Sequence, residues 1–275
     1  MKSILASIPT ERGFQGLIDA AASLAKMFDT RLDAVAIGYE TTSIGLAVEG
    51  GTAVAAIYEI ERERAQARAE AALSIVVAEA QRRSFQCKCI PMTATPFEAA
   101  AMIGARARLY DLTIVPQPEV EFDSYDNTLP QEILFEAGGP VLFVPYTFRG
   151  PLKISNIGIA WDGSRLAARA AREAMPFLKN AENITLITVN DTVHPEASAQ
   201  ALQSRLTHQG LRATISRSVA APADIQPMLL SIAADTGLDL IVMGGYGHSR
   251  LKERILGGVT RGMLESMTVP TLMSH

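Results

Sequence analysis

With 275 residues the chain exceeds the usual size of a single domain and predicts roughly two. Apolar residues make up 48% and charged ones 20%, enough for a full core, and a net charge of -4 without long Lys/Arg runs argues against nucleic-acid or anionic-membrane partners. No uninterrupted apolar run reaches the ~18–20 residues a bilayer demands, and the N-terminal run stops at Pro9, too short for a signal-peptide core, so a cytoplasmic protein is expected.

In chain order, residues 4–8 read as a short apolar strand, 16–28 as a helix and 32–37 as a second strand. Residues 41–60 are apolar and contain glycine. They predict either a partly helical cover packed on the sheet or on the rest of the chain, or a lid or subunit contact. A long helix rich in Ala, Glu and Arg follows over 59–83. Cys87 and Cys89 fall at i and i+2, which on a strand puts both on one face. A metal site would need further ligands nearby, so they read as small apolar side chains. Residues 108–115 form an apolar segment with Asp111 at its front, and 139–144 a closing strand with a proline. Around 147–153, Arg149-Gly150-Pro151 breaks regular structure.

The pattern then repeats. Residues 157–161 read as a strand, 165–178 as a helix, 184–189 as a strand and 196–209 as a helix stopped by Gly210. A strand over 212–218 and a helix over 223–235 follow. The segment 236–243 then aligns with 108–115, placing Asp239 opposite Asp111, and 269–273 closes the half. Spacings agree to within a couple of residues, so the chain is expected to hold two tandem copies of one domain, 1–147 and 153–275. Strand–helix alternation implies a parallel sheet covered on both faces. Ligands then belong at the carboxyl ends of the strands, near a switch in strand order.

The apolar run 240–243 ends at Gly244; Gly247 follows, and Gly257 and Gly258 lie further on. Glycine tolerates positive φ and, lacking Cβ, lets backbone N–H groups approach phosphate oxygens. A helix opening at Gly258, Val259 and Thr260 would aim its positive end at an anion. The first copy reads Val115-Pro-Gln-Pro-Glu-Val-Glu at the matching place. Its prolines lack N–H donors, and Glu119, Glu121 and Asp123 repel phosphate. That copy is expected to bind no phosphate group in this manner.

With this duplication and glycine spacing, the chain resembles the universal stress protein family in its tandem two-domain form. The resemblance covers essentially the full length and is sharpest in the second half. The family's nucleotide signature is Gly-x2-Gly-x9-Gly-(Ser/Thr). Gly244, Gly247 and Gly257 meet it, and Gly258 replaces the hydroxyl residue. The resemblance implies an α/β fold of two five-stranded parallel, Rossmann-like, doubly wound domains forming a pseudo-dimer, with the two closing strands able to pair within one molecule. It also implies ATP at the second loop, with or without Mg²⁺. Gly258 keeps the N–H and loses a side-chain hydrogen bond worth about 1 kcal/mol net, so weakened binding is expected. Asp162 matches the carboxylate that contacts the nucleoside, and Val189 and Met243 match positions flanking adenine. By residue type alone, Asp162 serves equally as a helix N-cap beside Ser164, and Val189 and Met243 as core. His248 either reaches the phosphates or is solvated, and the Thr260 hydroxyl is close enough in sequence to replace the missing one.

The leading expectation is a stress protein whose second copy binds ATP or a related adenine nucleotide, with occupancy biasing conformation or the choice of a protein partner. Hydrolysis would be slow at most, because the chain has no Gly-x-Ser-x-Gly elbow, no His pair at metal spacing and no full Walker lysine motif. The rival reading is a structural or interaction protein that binds no nucleotide. A third is an enzyme, adenylating or electron-transferring, on the same scaffold. A homodimer beyond the internal pairing is compatible with the family's habit of pairing through last strands; nucleic-acid and membrane partners are not expected.

Overall fold

The computed structural model describes residues 1–40, 51–119, 124–190, 195–245 and 258–275, with 51–55 described by backbone alone. The first half runs β1 (Ser3–Ile8), α1 (Gln15–Met27), β2 (Arg31–Tyr39), α2 (Gly51–Arg83), β3 (Cys87–Ala94), α3 (Pro96–Ala107), β4 (Leu112–Pro116), α4 (Tyr125–Glu136) and β5 (Val141–Val144). The second runs β6 (Asn156–Ala160), α5 (Arg165–Glu173), α6 (Met175–Leu178), β7 (Asn183–Val189), α7 (Ala199–His208), β8 (Ala213–Ser218), α8 (Ile225–Asp235), β9 (Leu240–Gly244), α9 (Gly258–Ser266) and β10 (Thr271–Ser274).

Among the described residues, ten strands form one sheet in the order β3-β2-β1-β4-β5-β10-β9-β6-β7-β8. Pairing is parallel within each half. The halves meet where β5 and β10 pair antiparallel, with Leu142 opposite Leu272, so the closing strands do pair within the chain. This joins two sheet edges that would otherwise present unpaired N–H and C=O groups. Because the seam is antiparallel, the carboxyl ends of the two strand sets point in opposite directions.

The duplication extends to single hydrogen bonds. Asp111, just ahead of β4, accepts the Lys2 and Ser3 N–H groups at 2.6 and 3.0 Å, and Asp239, just ahead of β9, accepts the Asn156 N–H at 2.9 Å. Each aspartate ties the start of its fourth strand to the start of its first. The backbone donors, Lys2 foremost, hold the Asp111 carboxyl below the usual carboxylate range.

Two apolar layers flank the sheet. One packs α1, α2, α5, α6 and α7, with Leu24, Leu73, Ala170, Phe177 and Leu202 at its centre. The other packs α3, α4, α8 and α9 around Ile103, Ile133, Leu229 and Met263. Helix α2 lies close on β2: a Cβ on Gly38 would stand 1.7 Å from the Ala65 carbonyl oxygen, so only glycine allows this approach. From Ala65 onward α2 buries a regular stripe of Ala69, Ala72, Leu73, Val76 and Ala80.

Local differences from the sequence expectations have local causes. The helix expected over 165–178 is two, α5 and α6, because Pro176 lacks an N–H and is tolerated only in the first turn of a new helix. The helix expected over 196–209 opens as a 3-10 turn at Pro195–Ala197, and Ser198 then caps α7 by accepting the Ala201 N–H at 3.3 Å. In the 41–60 segment, helix α2 begins at Gly51. Its Ile57, Tyr58 and Ile60 are each about half exposed, while residues 41–50 and the side chains of 51–55 lie outside the described residues. Cys87 and Cys89 are half-buried on β3 against the first layer, with the Cys89 Sγ 3.9 Å from the Leu73 carbonyl on α2. The segment between the halves is pinned to α1, since Asp19 accepts the Gly150 N–H at 3.0 Å and the Ser23 Oγ accepts the Leu152 N–H at 3.1 Å.

Candidate functional site

In the second half, β6 lies between β7 and β9, and the chain leaves β6 and β9 towards opposite faces of the sheet. That divergence opens a crevice at the strands' carboxyl ends. A cleft of about 600 Å³ occupies it, bounded by the exits of β6, β7 and β9 and by the first turns of α5, α8 and α9. Asp162, Val189, Met243, Gly244, Gly258, Val259 and Thr260 all line it. The structure therefore brings together seven of the residues singled out in the sequence. Gly247, His248 and Gly257 lie outside the described residues.

Each wall follows from local chemistry. Asp162 is exposed, and its Oδ1 accepts the Ser164 N–H at 2.8 Å, while the Ser164 Oγ caps α5 by accepting the Ala167 N–H at 3.1 Å. The N-cap of α5 is therefore Ser164 and not Asp162, whose carboxylate stands two residues earlier at the mouth of the cleft. Gly244 needs to be glycine for steric reasons: a Cβ there would lie 2.8 Å from both the Leu166 carbonyl carbon and the Ala167 nitrogen. The first turn of α5 is pressed onto the exit of β9 at this point. Thr260 is buried in the wall, and the first turn of α9 carries no acidic side chain. Its N-terminal dipole is therefore not offset by a neighbouring carboxylate of that turn. Among the described residues, a Cβ on Gly258 would meet nothing within 4 Å. Ile187, Val189, Leu229 and Met243 supply an apolar floor.

Other lining residues were not selected from the sequence. Trp161, the only tryptophan of the chain, is buried in the wall, with its Nε1 donating to the Ala197 carbonyl at 2.7 Å. Its place beside Asp162 was the available signal, because a residue at a strand exit lines whatever cavity the strand opens into. Pro222, Ala223, Ile225 and Leu229 reach the cleft through the β8–α8 crossover, which no local motif announces.

The matching region of the first half is filled by its own side chains. Asp126 on α4 is 3% exposed. Its Oδ2 accepts the Thr10 and Glu11 N–H groups at 2.8 Å each, and its Oδ1 accepts the Tyr39 hydroxyl at 3.0 Å. The Tyr39 and Tyr125 rings pack 5.3 Å apart above it. Arg12 fastens the loop from the other side, with a 2.7 Å ion pair to Glu119 and a 2.8 Å bond to the Gln117 carbonyl. Burial holds the Asp126 carboxyl above the usual carboxylate range, against the pull of the Glu11 N–H and the Tyr39 hydroxyl. The N–H groups after β1 thus serve an internal carboxylate, that of Asp126 at the start of α4.

Among the described residues no cluster of three or more His, Cys, Asp or Glu side chains could hold a metal ion, and no helix is long and apolar enough to cross a membrane.

Comparison with known proteins agrees with the asymmetry between the halves. Residues 196–275 match the model of the universal stress protein family. Universal stress protein MJ0577 of Methanocaldococcus jannaschii is 40% identical over 45 residues, a stretch covering 16% of this chain and 28% of that protein. Among solved structures, a universal stress protein from Archaeoglobus fulgidus DSM 4304 superposes with a TM-score of 0.71 at 13% identity, covering 98% of this chain and 95% of its own. A putative universal stress protein from Pseudomonas aeruginosa UCBPP-PA14 gives 0.63 at 14% identity, covering 100% and 93%. At such identities the likeness is one of fold.

Proposed function

We propose, on the premise that this chain belongs to the universal stress protein family, that it binds ATP or a related adenine nucleotide in its second half and acts through nucleotide-dependent conformation or partner choice. The observation that carries the reading is the cleft itself, lined by Gly244 of the glycine motif and by Asp162, Val189 and Met243, the positions that the family resemblance implies. Its volume suits a nucleoside. Its apolar floor fits a purine, Asp162 can accept ribose hydroxyls, and the start of α9 can meet phosphate oxygens. An accompanying Mg²⁺ would sit with the phosphates. Among the described lining residues Asp162 is the one carboxylate, and it is already tied to the Ser164 N–H. Among the described lining residues no other base is present to drive rapid hydrolysis, and the nucleotide is read as a bound ligand.

Trp161 gives a direct test. Titration of the full chain with ATP and Mg²⁺ should change its fluorescence saturably, and saturation near 100 Kd should stabilise the fold by about 2.7 kcal/mol. Neither change at about 5 mM ATP, where a millimolar site would already show RT ln(1 + [L]/Kd) of stabilisation, would refute the nucleotide reading and favour a protein that acts through its surfaces alone.

The open space at Gly258 yields a second expectation. Gly258→Ser adds a hydroxyl without a clash among the described residues and should tighten ATP binding by about 1 kcal/mol, roughly fivefold. Equal or weaker affinity by the same titration would place the phosphates elsewhere.

A further inference from the structure

Gln117 follows β4 directly, as Gly245 follows β9, and the backbone treats the two alike. The Gln117 N–H donates to the Val144 carbonyl and the Gly245 N–H to the Ser274 carbonyl, both at 2.8 Å. Their side chains part company. Gln117 is fully buried; its Nε2 donates to the Leu264 carbonyl of α9 at 3.0 Å, and its Oε1 accepts the Tyr146 N–H at 3.3 Å. Leu264 lies in the last turn of α9, where carbonyls have no partner within the helix. Gln117 supplies that partner from the other half of the chain.

The opposite contact is of another kind. Leu134 stands in α4 as Leu264 stands in α9, each two residues before its helix ends. Gly245 has no side chain to offer it. The Leu134 Cδ2 instead fills the space beside Gly245, 2.9 Å from where a Cβ would stand. One loop has kept the glycine that leaves its backbone bare, while its twin carries an amide that reaches across the seam.

From this asymmetry we infer that Gln117 is a positioning residue for the cleft of the second half. It holds the carboxyl end of α9 and, through that helix, sets where Gly258, Val259 and Thr260 stand. The effect on ATP rests on the nucleotide reading of the cleft; the effect on α9 rests on the hydrogen bonds alone. A nine-residue helix is a rod only ~13 Å long, so a shift at one end is carried to the other. Pro116-Gln117-Pro118, unfit as a phosphate cradle, works as a strut.

The test compares Gln117→Met, which keeps side-chain length and loses both polar atoms, with Gln203→Met. The latter removes a 2.7 Å bond to the Ala213 carbonyl, between α7 and β8 and away from α9. Full-length proteins are titrated with ATP through Trp161 fluorescence, and amide hydrogen exchange is followed without nucleotide. Gln117→Met should raise the ATP Kd about fivefold, within the range found for coupling through packed elements, and speed exchange across 258–266. Gln203→Met should do neither. Unchanged exchange over α9 in Gln117→Met overturns the inference, as does faster exchange with unchanged ATP affinity. Should the parent protein bind no ATP, the nucleotide reading falls and exchange over α9 alone decides whether the strut exists.

Discussion

Gly244→Val is expected to weaken nucleotide binding by at least about a hundredfold and to destabilise the fold by about 2–3 kcal/mol, the usual cost of overpacking a tight contact. The Cβ alone would collide with backbone atoms of Leu166 and Ala167 at 2.8 Å, and backbone cannot rotate away as a side chain can. The first turn of α5 would have to lift from the exit of β9, moving Asp162 and Ser164 with it and distorting the crevice. Urea unfolding separates the two effects, and affinity should fall even where the variant remains fully folded. Affinity within threefold of the parent protein would show that the ligand does not use this end of the cleft. Gly139 provides the control: it also lies near a closing strand, but a Cβ there meets nothing within 4 Å, so Gly139→Ala should leave binding unchanged.

The second large effect is expected at Asp126. Asp126→Ala strands the Thr10 and Glu11 N–H groups and the Tyr39 hydroxyl, each of which costs about 1–3 kcal/mol when left unpaired in a buried site. Relief of the buried charge offsets part of this, leaving a net loss of about 3 kcal/mol at neutral pH. Asp126→Asn should be far milder, within about 1 kcal/mol, because one amide oxygen can accept from the loop while the NH₂ donates to the Tyr39 oxygen. The two variants also differ in pH response. Burial raises the Asp126 carboxyl in the folded protein, so the folded state binds its proton at a higher pH than the unfolded chain does. Its contribution is greatest below the unfolded value near ~4 and is lost as pH rises through the folded value. Urea midpoints at several pH values should fall across that window for the parent protein and fall less for Asp126→Asn. A parent protein no more pH-sensitive than its Asp126→Asn variant would show that burial does not raise this carboxyl.

Much of this architecture could be read from the chain because strands and helices keep their own hydrophobic periods. The end of each apolar run then marks a strand exit, where Asp162, Val189 and Met243 duly stand. The tandem arrangement was legible from repeated spacing, and Asp111 with Asp239 repeat a hydrogen bond as well as a position. What escaped reading depends on non-local contact. Pro222 and Leu229 enter the cleft only once α8 is folded back over the sheet. Asp126 looks like an ordinary acid in the first turn of a helix, where it favours the dipole. Its partners Thr10, Glu11 and Tyr39 are 87 to 116 residues away. Gln117 looked like one more defect between two prolines. Pro176 splits the helix expected over 165–178 because a fourteen-residue pattern carries less weight than one missing N–H.

The seam between β5 and β10 has an evolutionary consequence. In a dimer of two separate, identical chains, every substitution appears on both sides of the twofold axis. The residue after the fourth strand would then have to be glycine for one role and glutamine for the other, and no single residue is both. Joining the copies covalently removes that constraint, so the exits of β4 and β9 can diverge while the strand pairing between β5 and β10 is retained. A duplicated gene can thus reach a division of labour closed to any homodimer, with Gln117 reaching across the seam on one side and a bare Gly245 facing Leu134 on the other.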